Sequence, residues 1–149
     1  MNLAGAFTVP ADRQAVWAMI RDPAVMASCI PGCDQIESLS PSSYRARVVA
    51  SVGPIQAVFA LVVEVIREEP PVSVHSVTRG EEGTRASVLN AKNVVTLSEV
   101  EGGLTEVAYA SEVSITGRLG KFGLGVMKKK AEALSLQFAE AFRAKLAER

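Results

Sequence analysis

Two cysteines and a single histidine are the residues of this sequence that most directly suggest redox or metal chemistry. Cys29 and Cys33 are separated by three residues, whereas redox motifs of the thioredoxin type place two residues between their cysteines. A zinc site would need further ligands, and His75 is distant along the chain. We therefore interpret the cysteines as part of a structural turn and expect no metal and no cofactor. A redox role at the mouth of a cavity is the alternative.

Closely spaced glycines at positions 120, 123 and 125 are a second pattern with a chemical interpretation. Their spacing differs from the G-x-G-x-x-G fingerprint of dinucleotide sites, and no predicted strand–helix–strand unit surrounds them. We predict instead a flexible segment before the last helix, which would serve as a gate to a cavity.

The composition is that of a globular chain of 149 residues, 48% hydrophobic and 21% charged. We expect a single domain over residues 1–149, with a core that needs no disulfides. A net charge of zero argues against nucleic-acid binding, which depends on an excess of positive charge. The sequence has neither a signal-peptide pattern nor a run of about 18 apolar residues, so we expect a cytoplasmic location.

The spacing of apolar residues predicts the secondary structure. The first elements are a strand, a helix and a very short second helix, over residues 2–8, 12–21 and 24–28. Between residues 33 and 116 apolar and polar residues alternate, and turns such as Gly53-Pro54 interrupt the alternation. We predict six antiparallel strands in this region.

The last part of the chain predicts a long helix, because apolar residues recur every three or four positions from about 120 to 147. A curved antiparallel sheet with one apolar face needs a cover, and only this helix is long enough to provide it. The sequence therefore predicts an α+β helix-grip fold. About seven antiparallel strands wrap round the C-terminal helix, and two short helices follow strand 1.

Short motifs in a fixed order along nearly the whole chain carry a family resemblance. They are Val16-Trp17, Asp22-Pro23, Cys29-Ile30-Pro31-Gly32-Cys33, Ser51-Val52-Gly53-Pro54-Ile55, Thr105–Tyr109 and Gly117-Arg118-Leu119-Gly120-Lys121-Phe122-Gly123. With these motifs the sequence resembles the CoxG family, that of the G-type subunit of carbon monoxide dehydrogenase, within the polyketide cyclase and START-related (SRPBCC) superfamily.

The resemblance implies an accessory protein of molybdenum-containing hydroxylases, which helps such an enzyme to meet the membrane or its quinone pool. It also implies an apolar cavity for a bound quinone, isoprenoid or other lipid. The expected partners are an apolar small molecule, a molybdenum-containing hydroxylase and, by peripheral contact, the inner face of the membrane. Some relatives carry an additional C-terminal tail; this sequence ends shortly after the predicted helix, so we expect no anchor of that kind.

The predicted inward faces of the strands carry mostly small side chains, which fill space poorly and favour a cavity over a close-packed core. An apolar cavity with few polar groups binds apolar molecules. The candidate lining residues come from the short helices, the sheet and the last part of the chain: Trp17, Ile20, Met26, Phe59, Leu61, Asn93, Tyr109, Ser111, Phe122, Met127 and Phe138. Three of them, Asn93, Tyr109 and Ser111, are candidate polar contacts to a ligand.

Two other functions compete with ligand binding. An enzyme of the cyclase or hydrolase type would need an acid or a base in the cavity, and the predicted inward faces contain no Asp or Glu. Glu64 and Glu106 would point inward only if the register slipped by one residue. A filled core would indicate instead an assembly subunit that acts through its surface. The sequence favours a non-catalytic binding protein.

Charge is unevenly distributed although it sums to zero. Residues 117–131 contain basic side chains and no acidic one, and we name these side chains the basic segment: Arg118, Lys121, Lys128, Lys129 and Lys130. Positive charge early in a helix opposes the helix dipole, a mild cost that is compatible with a functional use. We predict that the basic segment contacts anionic lipid headgroups or an acidic partner protein, with a solvated helix start as the alternative.

Overall fold

A computed structural model describes residues 1–83 and 85–148, which form one sheet, three α-helices and a 3-10 turn. The strands are β1 (Asn2–Val9), β2 (Cys33–Ser40), β3 (Ser43–Val52), β4 (Ile55–Glu69), β5 (Ser73–Glu82), β6 (Ser87–Val100) and β7 (Leu104–Gly117). The helices are α1 (Arg13–Ile20), α2 (Pro23–Cys29) and α3 (Leu124–Ala147), and the 3-10 turn (Leu119–Phe122) precedes α3. The predicted order of elements is confirmed.

All seven strands belong to one antiparallel sheet in the order β1-β7-β6-β5-β4-β3-β2. Each strand from β2 to β6 pairs with the next strand in the sequence, which confirms the predicted six-stranded meander. β1 pairs with β7, with Val9 beside Thr105. The first and last strands are therefore neighbours, and β1 and β2 form the edges of the sheet.

Side chains alternate between the two faces of the curved sheet. In β4, Ala57 and Phe59 are buried, whereas Val58 between them is 38% exposed. On the same inner face, Leu97 in β6 lies in register with Val107 in β7 and packs against the helices. We name the face that carries Phe59 and Leu97 the concave face, and the opposite one the convex face.

Local hydrogen bonds explain where the two short helices begin. The Asp12 carboxylate accepts a hydrogen bond from the Ala15 N–H at 2.7 Å, and the Asp22 carboxylate accepts one from the Ala24 N–H at 3.0 Å. Pro23 occupies the first position of α2, where a missing N–H removes no helical hydrogen bond. The two short helices predicted after the first strand thus begin at side-chain caps.

The long helix begins later than its apolar repeat indicates. Residues 119–122 form the 3-10 turn, and α3 starts at Leu124 and not at about 120. Gly123 separates the two pieces with a φ of 85°, a left-handed conformation that cannot continue a helix and that glycine adopts readily. The glycine-rich segment therefore contains a defined break in the chain direction.

A buried carboxylate attaches the 3-10 turn to the sheet. The side chain of Glu82, only 5% exposed, forms an ion pair with Arg118 and accepts a hydrogen bond from Ser87 Oγ at 2.9 Å. The Leu119 N–H in turn donates to Ser87 Oγ at 3.1 Å. Hydrogen bonds from the Arg118 guanidinium hold the pKa of Glu82 below its usual value, so this carboxylate is ionised. The prediction that the inward faces contain no acid is wrong at Glu82.

We expect Glu82→Gln to make the fold less sensitive to acid. Because the pKa of Glu82 is lower in the folded protein than its usual value near 4.5, its ionisation stabilises the fold above that pH and this contribution is lost as the pH falls below it. The urea midpoint should therefore fall less between about pH 7 and about pH 3.5 for Glu82→Gln than for the wild type. The exposed neighbour is the control, as Glu81→Gln; equal acid sensitivity of all three proteins would contradict this role of Glu82.

Candidate functional site

The apolar side chains of the concave face form two separate buried clusters. The helix-side cluster consists of Val9, Val16, Met19, Cys29, Leu97, Val107 and Phe142. The hairpin-side cluster consists of Val52, Ala57, Phe59, Leu119 and Met127. Because α3 contributes Phe142 to the first cluster and Met127 to the second, the helix is attached to the rest of the fold near both of its ends.

The large apolar residues predicted to line a cavity divide between these two clusters. Those that pack against the helix-side cluster are Trp17, Ile20, Met26 and Phe138. Those that belong to the hairpin-side cluster or pack against it are Phe59, Leu61, Phe122 and Met127. Phe59 and Met127 are 7% and 8% exposed, so most of their surface is already used in core packing. The bulky side chains therefore lie at the two ends of the concave face.

The middle of the concave face is polar. Asn93 in β6 lies in register with Ser76 in β5 and with Ser111 in β7. Ser111 Oγ donates to Asn93 Oδ1 at 2.8 Å. Asn93 Nδ2 donates to Thr78 Oγ1 at 3.1 Å and to Ser76 Oγ at 3.4 Å. We name these four partly exposed residues the polar row; the sequence predicts Asn93 and Ser111 as candidates, but not Ser76 and Thr78.

An open cleft of about 500 Å³ separates the edge strand β1 from α3. Its lining residues are Asn2, Leu3, Ala4, Tyr109, Lys128, Glu132, Ser135 and Leu136. Leu3 lies in register with Ser111 of the polar row, so the cleft borders the centre of the concave face. It is the candidate opening through which a ligand would reach that centre.

Tyr109, a predicted polar contact, lines this cleft because a glycine leaves room for it. Gly5 lies beside Tyr109 in the β1–β7 register, and a Cβ atom on Gly5 would be 2.4 Å from Tyr109 Oη. Any side chain at position 5 would therefore displace the tyrosine ring. The sequence signal is a single glycine inside a strand, which often marks a close approach.

The titratable groups considered for catalysis do not meet in this region. Glu64 and Glu106 are exposed on the convex face, as the predicted register requires. His75 also lies on the convex face, opposite Val94. Glu82 lies on the inner face, but its ionised carboxylate is held by Arg118 and Ser87 and is therefore unsuited to donate a proton at neutral pH.

The two cysteines have the properties of structural residues. Cys29 is buried in the helix-side cluster, and Cys33 begins β2. Burial raises the pKa of both thiols, so the nucleophilic thiolate is disfavoured at neutral pH. Within residues 1–83 and 85–148, no three His, Cys, Asp or Glu side chains are grouped in a way that would hold a metal ion.

The basic segment separates into one internally paired side chain and four lysines. Arg118 is paired with Glu82, so its charge is balanced within the fold. Lys121, Lys128 and Lys129 are exposed and Lys130 is partly buried, and the ion pairs of the described residues involve none of them. In the same stretch the apolar side chain of Val126 is 48% exposed. No described helix is long and apolar enough to cross a membrane.

Comparisons with known proteins agree with this architecture. The profile of CoxG, the family described as the G-type subunit of carbon monoxide dehydrogenase, matches residues 5–147. A conserved protein from Geobacillus kaustophilus superposes with a TM-score of 0.91 at 22% identity, over 99% of this chain and 96% of that one. A START superfamily protein from Mycobacterium smegmatis superposes with a TM-score of 0.76 at 14% identity, over 99% and 97%. At these identities the likeness concerns the fold alone. No curated protein matches the sequence.

Proposed function

Since the chain belongs to the CoxG family of carbon monoxide dehydrogenase subunits, we propose that it is a non-catalytic protein that binds an apolar ligand on its concave face. We further propose that it serves a molybdenum-containing hydroxylase and links that enzyme to the membrane or to its quinone pool. The family is that of an accessory subunit and not of a catalytic one. The observation that most directly supports ligand binding is the incomplete filling of the concave face between its two apolar clusters.

The middle of the concave face has the properties of a ligand site. Val63 and Val113 flank the polar row and remain partly exposed although they point towards the helices. Exposed apolar surface on an inward face is stabilised when an apolar molecule covers it. The cleft between β1 and α3 supplies access, and the buried clusters at both ends limit the length of the bound molecule.

Support for a membrane or enzyme contact comes from the start of α3. Its lysines and the exposed Val126 combine positive charge with an apolar side chain, the combination that attracts a protein to an anionic lipid surface. Lys128 is also one of the residues that line the cleft. We propose that the cleft faces the membrane or the enzyme during ligand transfer, at the cytoplasmic side of the membrane.

Mass spectrometry of the purified protein tests ligand binding without a prior choice of ligand. We expect the native spectrum to show a stoichiometric hydrophobic molecule that leaves on denaturation and appears in an organic extract of the same sample. A mass equal to that of the chain alone, without a thermal shift on addition of a ubiquinone or menaquinone analogue, would contradict the proposal. That outcome would favour a subunit that acts only through its surface.

A bulky residue in the middle of the concave face should exclude the ligand. Ala91 is partly buried and lies in register with Thr78 and Val113. We expect Ala91→Trp to weaken binding of a quinone analogue by about tenfold or more, because the indole would fill the space that the ligand needs. Binding is measured by titration calorimetry. Ala110→Trp, on the exposed convex face of β7, is the matched control and should bind like the wild type.

A further inference from the structure

The hydrogen bonds of the polar row have a direction that specifies the chemistry of a ligand. Asn93 is at its centre and uses both kinds of hydrogen-bonding atom within the protein. Its Nδ2 donates to Thr78 at 3.1 Å and to Ser76 at 3.4 Å, and its Oδ1 accepts from Ser111 at 2.8 Å. An amide nitrogen carries two hydrogens, so the donor capacity of Asn93 is fully used.

The hydroxyl groups of Ser76 and Thr78 act as acceptors in this network. Each hydroxyl also carries one hydrogen that it can donate. Among the described residues, neither of these hydroxyls donates a hydrogen bond. Both side chains are partly exposed, so the row presents two neighbouring O–H donors on the concave face.

A network that served only the stability of the sheet would be expected to satisfy its own donors. Polar groups on an inward face are costly unless they are hydrogen-bonded. The row lies between two apolar clusters, and the position next to Thr78 in β6 is the small Ala91, which leaves space above the hydroxyls. The unused donors therefore point to a partner that is not part of the chain.

We propose that the hydroxyls of Ser76 and Thr78 donate hydrogen bonds to a carbonyl oxygen of the bound apolar molecule. Asn93 and Ser111 are positioning residues, because they hold the two hydroxyls as acceptors and leave their hydrogens free for the ligand. The inference rests on the proposed function and adds the ligand class. The ligand carries an acceptor such as a ketone, quinone or ester oxygen, and a pure hydrocarbon is bound less well.

A pair of probes isolates the contribution of the carbonyl oxygen. The first probe is a prenylated naphthoquinone, and the second is the corresponding prenylated naphthalene, which has the same apolar shape without carbonyl oxygens. We expect the wild type to bind the quinone at least about tenfold more tightly than the hydrocarbon, from two hydrogen bonds of ordinary strength. The dissociation constants are measured by titration calorimetry, with quenching of Trp17 fluorescence as a second readout.

Substitutions that keep the shape of the site then test the donors. We expect Thr78→Val to weaken quinone binding by about fivefold, to leave hydrocarbon binding unchanged, and to act together with Ser76→Ala. Asn93→Asp should abolish the preference for the quinone as well, since a carboxylate accepts the hydrogens of both hydroxyls. Thr116→Val on the exposed convex face is the control and should leave the preference unchanged.

The two probes separate failure of this inference from failure of the proposed function. Equal affinity of the wild type for quinone and hydrocarbon, with both affinities reduced in Ala91→Trp, would overturn the donor pair and leave ligand binding intact. Binding of neither probe, in a protein that also purifies without a hydrophobic molecule, would overturn both. An unchanged quinone preference in a folded Thr78→Val, Ser76→Ala double variant would also overturn the donor pair.

Discussion

Replacing Gly32 with Ala is expected to destabilise the fold by about 3 kcal/mol or more. Gly32 has a φ of 83°, a left-handed conformation that costs other residues about 1–2 kcal/mol. A Cβ atom would in addition lie 2.0 Å from the carbonyl oxygen of Val49. The backbone of Val49 cannot easily move away, because its N–H donates to the Gly32 carbonyl at 2.9 Å. The free energy of unfolding is measured by urea denaturation.

A second glycine separates the clash from the backbone conformation. Gly102 has a φ of 87°, nearly the same as that of Gly32, but no atom lies within 4 Å of its hypothetical Cβ. Gly102→Ala should therefore lose only about 1–2 kcal/mol. Equal losses in the two variants would show that the Val49 contact is unimportant. A larger loss for Gly32→Ala would explain physically why a glycine stands in the Ile30–Cys33 motif, where the chain turns into β2.

Neutralising Lys128, Lys129 and Lys130 together is expected to weaken binding to anionic vesicles by about a hundredfold. Each cation near an anionic surface contributes about 1 kcal/mol, so three contribute about 3 kcal/mol at low salt. Sedimentation with phosphatidylglycerol-containing vesicles measures the effect, with pure phosphatidylcholine vesicles as the neutral reference. Binding of the wild type should also fall as salt is added, because exposed charges are screened.

Two other lysines provide the control for this experiment. Lys92 lies on the convex face, and Lys145 is paired with Glu148 near the end of α3. Replacing both with Gln should leave vesicle binding nearly unchanged. The triple variant should be at least as stable as the wild type, since it removes positive charge from the first turns of a helix. A wild type that ignores anionic vesicles at low salt would contradict the membrane contact, and pull-down with the hydroxylase would then test the enzyme contact.

The split of the apolar residues into two clusters changes how the sequence pattern is understood. Phe59 and Phe138 are both candidates for a single cavity lining, because both lie on apolar faces. In the fold they belong to opposite ends of the concave face. Periodicity indicates only which face a side chain is on. Its position along that face depends on the strand register and on where the helix crosses the sheet.

Strand β5 shows most clearly why part of the site is not predictable from the sequence. Its inner face carries Val74, Ser76, Thr78, Gly80 and Glu82, so apolar residues do not alternate there as they do in β4. A period-two pattern is visible in a sequence only when one face is apolar. The polar row and the buried ion pair both involve this strand, and the sequence pattern misses part of each for this reason.

The elements of the fold are predictable from the sequence because their causes are local. Alternation along β4 and β7, the caps at Asp12 and Asp22, and the apolar repeat of α3 act within a few residues of the chain. The family follows from short motifs that are read in the same local way. Even the error at the start of α3 is local, since it depends on the single conformation of Gly123.

Which of these residues meet depends on the three-dimensional fold. The hydrogen bond from Ser111 to Asn93, the ion pair of Arg118 with Glu82 and the space that Gly5 leaves for Tyr109 each join residues from different strands or segments. Such contacts depend on the relative register of distant strands, and a shift of one residue would turn every side chain to the other face. Register is fixed by the packing of the whole sheet, so the site is formed by the fold and not by any one segment of the sequence.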